Sequence, residues 1–208
     1  MDCKQERQVL EFNVWIGLLM LLAISSTLNA LQLVAQHLLN YSTPRLQRPV
    51  TRILALVPVY ALASLASVLY YPAAVYVLAL RDAYEGFVVA SFFTLMCQYV
   101  GPSEEAQKEV LFKKVSGARY PPPACCWKND PTRRHFLSWS KLGVLQYVLV
   151  RVSTTSLAVI LQSQGIYCPE SMDPRSGHFW TTLLNGASMG VAMFTLITFY
   201  MAVHSVWF

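Results

Sequence analysis

The chain has 208 residues, of which 55% are hydrophobic and 13% charged, and it carries a formal net charge of +5 at pH 7. Soluble domains usually contain about 25% charged residues. This composition, with several apolar runs of roughly 20 residues, excludes an ordinary soluble domain and predicts a membrane protein with several spans. The basic residues cluster between the apolar runs, which indicates membrane topology rather than binding to nucleic acid.

The apolar runs predict an all-α fold, a polytopic transmembrane helix bundle with about five spans in a single domain. Pro44 and Pro49 are expected to end helical structure before the second span, and Pro58 is expected to kink that span. Residues 102–141 are polar and predict a basic loop. The predicted spans are 14–39, 53–71, 73–100, 142–161 and 179–206.

The distribution of basic residues predicts the orientation in the membrane. The loops after the first and third spans are rich in Arg and Lys, whereas the loop between the fourth and fifth spans contains Arg175 as its one basic residue other than histidine. Because basic loops stay on the cytosolic side, we expect the N-terminus outside or in a lumen and the C-terminus in the cytosol. The loop 102–141 is then cytosolic.

The third predicted span contains the stretch "ALRDAYEGF", with three ionisable side chains inside an apolar region. Arg81 and Glu85 are four residues apart and share a helix face, and Asp82 lies beside them. A single charge at the bilayer centre costs at least about 2.5 kcal/mol, so two carboxylates beside one guanidinium require a second cation. Arg151, halfway along the fourth span, is the candidate. The pattern predicts a four-charge cluster facing the bundle interior.

Two alternatives remain open for these charges. The third span could begin at Arg81, after a loop or re-entrant segment, so that the charges reach the membrane interface. An interior cluster could also be structural, holding helices together without touching a substrate. The sequence alone does not choose between these possibilities.

Several segments resemble the organic solute transporter alpha-subunit family, which includes the transmembrane-protein-184 group. The segments are "PRLQRPVTRILALVPVYALAS", "RDAYEGFVVASF" and "KLGVLQYVLVRVSTTSLAVILQSQGIY". An R-[DE]-x-Y-E motif is matched in the third span, and a K-x-G-V-L-Q-Y-x-x-V-R-x-x-T-T motif opens the fourth. The resemblance covers roughly residues 44–202. The matching residues are Arg81, Asp82, Tyr84 and Glu85, then Lys141, Gly143, Val144, Leu145, Gln146, Tyr147, Val150, Arg151, Thr154 and Thr155.

The resemblance implies a bundle of seven helices that moves amphipathic organic anions, such as steroid or bile-acid-like solutes. It implies membrane lipids and an organic anion as partners, and a single-span partner subunit or a second copy of the chain. The two arginines would hold the anion, and the carboxylates would balance the charge. The substrate path implied in this way consists of Arg81, Asp82, Tyr84, Glu85, Gln146, Tyr147 and Arg151.

The chain ends inside the fifth predicted span, where the family continues for two more. We therefore expect a truncated form, either a fragment or a short relative that has lost transport. The alternative function is that of a non-transporting membrane adaptor or trafficking protein of the same family. The four histidines are scattered, with no H-E-x-x-H spacing, so neither an enzyme nor a metal or other cofactor is expected.

Two adjacent cysteines, Cys125 and Cys126, follow three prolines in the loop 102–141. The resemblance implies a cysteine-rich stretch at this place that is lipidated in some family members. S-palmitoylation of these two residues is therefore one hypothesis. Two unmodified thiols in a loop are the other.

Overall fold

The structure is a computed structural model and describes residues 3–70, 73–114, 136–164 and 177–207, with side chains described for 14–70, 73–111, 136–164 and 177–204. This part of the chain forms helices and contains no strand. The helices are α1 (Cys3–Leu39), α2 (Pro44–Leu54), α3 (Leu56–Leu69), α4 (Ala74–Val100), α5 (Glu104–Lys114), α6 (Phe136–Ser163) and α7 (Gly177–Trp207).

The all-α prediction is confirmed, and the apolar helices identify an integral membrane protein. Four described stretches are long and apolar enough to cross a membrane: Val14–Leu39, Pro44–Leu69, Phe136–Ser163 and Gly177–His204. The second of them consists of α2 and α3 together. Helix α4 has 27 residues, which gives a length of about 40 Å at 1.5 Å per residue. It carries three charges and is not among the four, so its span remains a prediction.

The prediction that Pro44 and Pro49 end helical structure is wrong. Pro44 begins α2 at a position where no backbone N–H would be hydrogen-bonded in any case, and Pro49 lies buried inside the same helix. The helix is instead interrupted at Ala55, between α2 and α3. Pro58 has no N–H to donate to the carbonyl of Leu54, which explains why the break occurs there.

Helix α4 is continuous from Ala74. A loop or re-entrant segment before Arg81 is therefore wrong, and the charged stretch lies about two turns inside the helix. Helix α6 likewise begins at Phe136, earlier than the predicted start at residue 142. The added residues include Leu137, which is buried and packs in the core.

The core lies where α4, α6 and α7 pack side by side near the end of α4 that leads into α5. Phe199 is fully buried, with its ring centroid 5.1 Å from that of Phe93 and 6.0 Å from that of Phe136. Leu111 brings α5 into the same cluster. The core residues are Phe93, Met96, Cys97, Val100, Leu111, Leu137, Val144, Leu196, Phe199, Ala202 and Val203. The charged stretch of α4 ends at Glu85, about two turns before the first core residue of that helix, Phe93.

Candidate functional site

Glu85 is the centre of a polar cluster formed by α3, α4 and α6. Its carboxylate accepts a hydrogen bond from the Tyr60 hydroxyl at 2.6 Å and one from the Tyr147 hydroxyl at 3.0 Å. The Arg151 Nη2 atom donates to the same carboxylate at 3.0 Å. Three helices are thus joined through a single carboxylate.

Asp82 joins the two arginines of the cluster. Its Oδ1 atom lies 2.9 Å from Arg81 Nη2 and 3.3 Å from Arg151 Nη2. The Arg81 guanidinium also lies over the ring of Tyr60, with 5.0 Å between its central carbon and the ring centroid. A cation over an aromatic face is attracted by the partial negative charge on the face of the neutral ring. Arg81 is therefore held from two sides.

A small residue lets α4 and α6 approach closely beside the cluster. A Cβ atom at Gly86 would lie 3.5 Å from the backbone of Val148 and 3.7 Å from the Cβ of Arg151. These are contact distances, so the glycine brings the two helix backbones within reach of each other. This close approach allows Arg151 on α6 to reach both carboxylates on α4.

The cluster contains equal numbers of positive and negative charges, and it is partly open. The charged side chains of Arg81, Asp82, Glu85 and Arg151 are between 16% and 25% exposed, and Arg151 is the least exposed. Its buried Nε–H group has no hydrogen-bond partner among the described residues. The charges of the cluster therefore compensate each other, but one buried donor of Arg151, its Nε–H, is left over. Buried donors of this kind usually have a hydrogen-bond partner.

Two residues of the predicted substrate path lie outside this cluster. The Tyr84 hydroxyl donates to the backbone carbonyl of Arg52 at 2.8 Å, which ties α4 to α2. Gln146 exchanges two hydrogen bonds with Ser188 on α7, at 3.0 Å and 2.8 Å. Both residues connect helices. The structure brings together Arg81, Asp82, Glu85, Tyr147 and Arg151 of the seven predicted residues.

The sequence analysis missed two polar residues that belong to this region. Tyr60 donates the shortest hydrogen bond to Glu85, and Asn185 on α7 accepts a hydrogen bond from Thr154 at 2.8 Å. In the sequence, Tyr60 is a phenol in the middle of one apolar run and Asn185 is a carboxamide inside another, and only this polarity could have identified them. Such residues are common in membrane helices as contacts between helices, so the signal was weak.

A second group of charges lies where α5 begins, with Glu104 and Lys108 outside the apolar stretches and Lys141 in the second turn of α6. Glu104 is hydrogen-bonded by Lys108 at 2.8 Å and by Lys141 at 2.6 Å. Hydrogen bonds from these two ammonium groups lower the pKa of Glu104 from its ordinary value to about 2. Lys141 belongs to α6, so this pair links the start of α5 to α6.

The remaining predictions about sites concern cysteines and metals. Cys125 and Cys126 lie outside the described residues, so their lipidation stays a prediction. Cys97, by contrast, is a buried free thiol in α4. Within the described ranges, no group of three or more His, Cys, Asp or Glu side chains is placed to hold a metal ion.

A protein-family model matches almost the whole chain. The family model described as organic solute transporter Ostalpha matches residues 15–206. No solved structure matches the chain.

Proposed function

The chain belongs to the organic solute transporter Ostalpha family, and we propose that it moves amphipathic organic anions of the steroid or bile-acid-like kind across the membrane. Transport of organic solutes is the activity associated with the family as a whole. The resemblance read from the sequence motifs is thereby confirmed. The kind of solute, the site that holds it and the outward orientation of the N-terminus are parts of the proposal.

The observation that carries the proposal is the environment of Arg151. A guanidinium has five N–H donors arranged to bind planar or tetrahedral anions in a fork. The Nη2 atom of Arg151 contacts one carboxylate oxygen of Asp82 and one of Glu85. The Nε–H group of Arg151 has no partner among the described residues. An anionic oxygen of a solute would satisfy this donor when the guanidinium turns toward it.

Asp82 offers a way for the cluster to exchange one anion for another. Its Oδ1 atom is shared between Arg81 and Arg151, and the contact with Arg151 is the longer one, at 3.3 Å. A sulfate or carboxylate group could replace Asp82 on Arg151 while Asp82 keeps its hydrogen bonds to Arg81. After this exchange Asp82 and the solute anion each contact a guanidinium, which limits the cost of charge in the membrane, and the occupied cluster carries one negative charge more than the empty one.

A non-transporting membrane adaptor is the second candidate, and the charge balance of the cluster favours it. Each arginine already contacts a carboxylate, and Glu85 is further held by two phenols. Such a network resembles structural links between membrane helices. In this case the cluster would hold α3, α4 and α6 together and bind nothing else.

The experiment is uptake of a labelled steroid sulfate by vesicles that contain the purified chain. The test variant is Glu85→Gln with Arg151→Gln, which removes one charge of each sign and leaves amide oxygens to accept the phenolic hydrogens. The matched control is Glu104→Gln with Lys141→Gln, the same chemical change at the ion pair outside the cluster. We expect saturable uptake in the wild type and the control, and its loss in the test variant.

The other outcomes are equally informative. Saturable uptake that persists in the test variant would contradict the proposed site, since the solute would then pass without the Arg151 guanidinium. Absence of uptake by the correctly inserted wild type would contradict the proposed transport and favour the adaptor.

A further inference from the structure

A cavity with a volume of 470 Å³ lies between α4 and α6, at the end of these helices where α5 begins. On α4 its wall extends from Ala90 to Gln98, about 12 Å along the helix. On α6 the wall consists of Lys141, Val144 and Leu145. We call this space the α4–α6 cavity. It shares no lining residue with the charge cluster described above, so the two are separate sites.

The turn between α4 and α5 closes one end of the α4–α6 cavity. Gln107 is buried, and its Nε2 atom donates to the carbonyl of Gly101 at 2.9 Å. The Ser103 hydroxyl accepts a hydrogen bond from the backbone N–H of Ala106 at 3.2 Å, in the first turn of α5. Both Ser103 and Gln107 line the cavity. The N-terminus of α5, which carries a partial positive charge, therefore lies at the cavity wall.

The two ends of the cavity differ in polarity. Toward the middle of the helices the lining residues are apolar: Ala90, Phe93, Val144 and Leu145. At the α5 end the lining residues are polar: Gln98, Ser103, Glu104, Gln107 and Lys141. Leu145 belongs to a membrane-spanning stretch and is 51% exposed, so the apolar end opens toward lipid. The cavity therefore suits an amphipathic ligand that enters from the bilayer with its polar group at the α5 end.

Two groups at the polar end have unused hydrogen-bonding capacity. Lys141 donates to Glu104 at 2.6 Å, and its two other ammonium hydrogens have no partner among the described residues. The Oε1 atom of Gln98 is buried and likewise has no partner there. A buried acceptor without a donor is costly. The polar end thus offers donors to an anion and an acceptor to a second group of the same ligand.

The charges around the polar end favour an anion. Glu104 is the one carboxylate among the lining residues, and both Lys108 and Lys141 hold it. Arg45 on α2 lies 3.4 Å from the carbonyl oxygen of Pro102, which also lines the cavity. Within the described residues, no carboxylate contacts Arg45. Three cations are therefore grouped with one compensated carboxylate.

We propose that the α4–α6 cavity binds an anionic phospholipid whose headgroup carries hydroxyl groups. The phosphate accepts hydrogen bonds from Lys141 and Arg45, a headgroup hydroxyl donates to Gln98 Oε1, and an acyl chain lies along the apolar wall toward Ala90. An ammonium group at this end would be repelled by the two cations, so a hydroxyl is the donor that fits. Lipid in general surrounds any membrane protein, whereas this cavity selects a headgroup by its charge and its hydroxyl.

Three lipids with the same acyl chains separate these two requirements. Phosphatidylglycerol has the charge and the hydroxyls, phosphatidylmethanol has the charge alone, and phosphatidylcholine has neither. Native mass spectrometry of the purified full chain gives a dissociation constant for each. We expect phosphatidylglycerol to bind about 5- to 50-fold more tightly than phosphatidylmethanol, and phosphatidylcholine to bind most weakly. Equal dissociation constants for the first two lipids would overturn the proposal.

The variant Gln98→Leu removes the buried acceptor. It replaces an unpartnered carboxamide by an apolar group of similar size, so folding should be retained. We expect phosphatidylglycerol to fall to the affinity of phosphatidylmethanol, which itself stays unchanged. The matched control is Gln162→Leu near the other end of α6, where the Oε1 atom is also buried without a partner in the described part of the chain. A preference that persists in Gln98→Leu, or is lost in the control, would overturn the proposal.

A water-soluble analogue distinguishes a lipid from a free phosphodiester. Glycerophosphoglycerol carries the polar groups of phosphatidylglycerol without its acyl chains, and we expect it not to displace the bound lipid at equal concentration. Displacement with equal affinity would contradict a lipid site. These measurements follow lipid binding and not uptake, so their outcome is independent of the proposed transport. Because the cavity and the charge cluster share no residue, the Glu104→Gln/Lys141→Gln control for uptake keeps its meaning.

Discussion

The charge cluster and the apolar core are built by the same two helices, α4 and α6, yet they differ in packing. In the core, Val144 is 1% exposed and Phe199 is fully buried. In the cluster, side chains of Asp82 and Arg151 are 24% and 16% exposed. The core thus fixes how the helices pack, while the side chains of the cluster a few turns away stay partly exposed. The difference shows that the cluster is less tightly enclosed than the core.

The largest expected effect concerns the cluster as a source of stability. Arg151→Leu alone leaves Glu85 without its cation and Asp82 with Arg81 only. Breaking a largely buried ion pair in this way costs about 3 to 5 kcal/mol. We expect this loss in the free energy of unfolding, measured by titration with a denaturing detergent in mixed micelles.

The matched comparison is Glu85→Gln with Arg151→Gln, which removes the pair without leaving a charge. Replacing both members of a buried pair is often close to neutral, so we expect a change within about 1 kcal/mol. Equal destabilisation by the single and the double variant would contradict the view of the cluster as exchangeable. The four charged side chains would then be as necessary for the stability of the helix packing as the core residues are.

The next largest effect concerns the contact of α6 with α7 at the core end of α6. A Cβ atom at Gly143 would lie 2.5 Å from Thr195 Oγ1 and 3.2 Å from its Cβ. Thr195 cannot move aside freely, because its hydroxyl is bonded to the backbone of Val191. We expect Gly143→Ala to lower the free energy of unfolding by about 1 to 3 kcal/mol.

Gly186→Ala on α7 is the control for this prediction. An added Cβ there meets no atom within 4 Å. Its effect should stay within about 1 kcal/mol, the range of intrinsic helix preference. If both alanines were tolerated equally, the α6–α7 packing would be looser than the structure indicates.

The smallest expected effect concerns the exposed ion pairs of Glu104. Its pKa of about 2 lies below the ordinary value of 4.5, so the contribution of these pairs is complete above pH 4.5 and is lost as the pH falls toward 2. Lys141→Met removes one of the two hydrogen-bond donors. We expect the pKa of Glu104 to rise toward 4.5, as measured by NMR titration of the labelled carboxyl carbon. An unchanged pKa would mean that Lys141 does not contact Glu104 in solution.

The sequence predicted the cluster better than the core, for a physical reason. A charge in an apolar run is costly anywhere except beside a partner, so Arg81, Asp82, Glu85 and Arg151 stood out and the structure brings them together. The core residues are apolar residues among many others. Nothing in the run around Phe199 distinguishes it from the exposed Tyr200.

Two features could not be predicted from the sequence: where the second span is helical, and which groups some residues of the predicted substrate path contact. Pro44 and Pro49 are helix breakers by preference, but one begins α2 and the other is buried inside it. Gln146 and Tyr84 are polar residues near the cluster in sequence. Their partners are Ser188 on α7 and the carbonyl of Arg52 on α2, and these contacts depend on how the helices pack, which the sequence does not show.

The most direct test of the account is equilibrium binding of a labelled steroid sulfate to the purified chain in a bilayer. If the cluster is the solute site, binding saturates at one solute per chain, is lost in Glu85→Gln/Arg151→Gln and is retained in Glu104→Gln/Lys141→Gln. Saturable binding of equal affinity in the wild type and in both double variants would contradict the account, because it would place the solute away from Arg151.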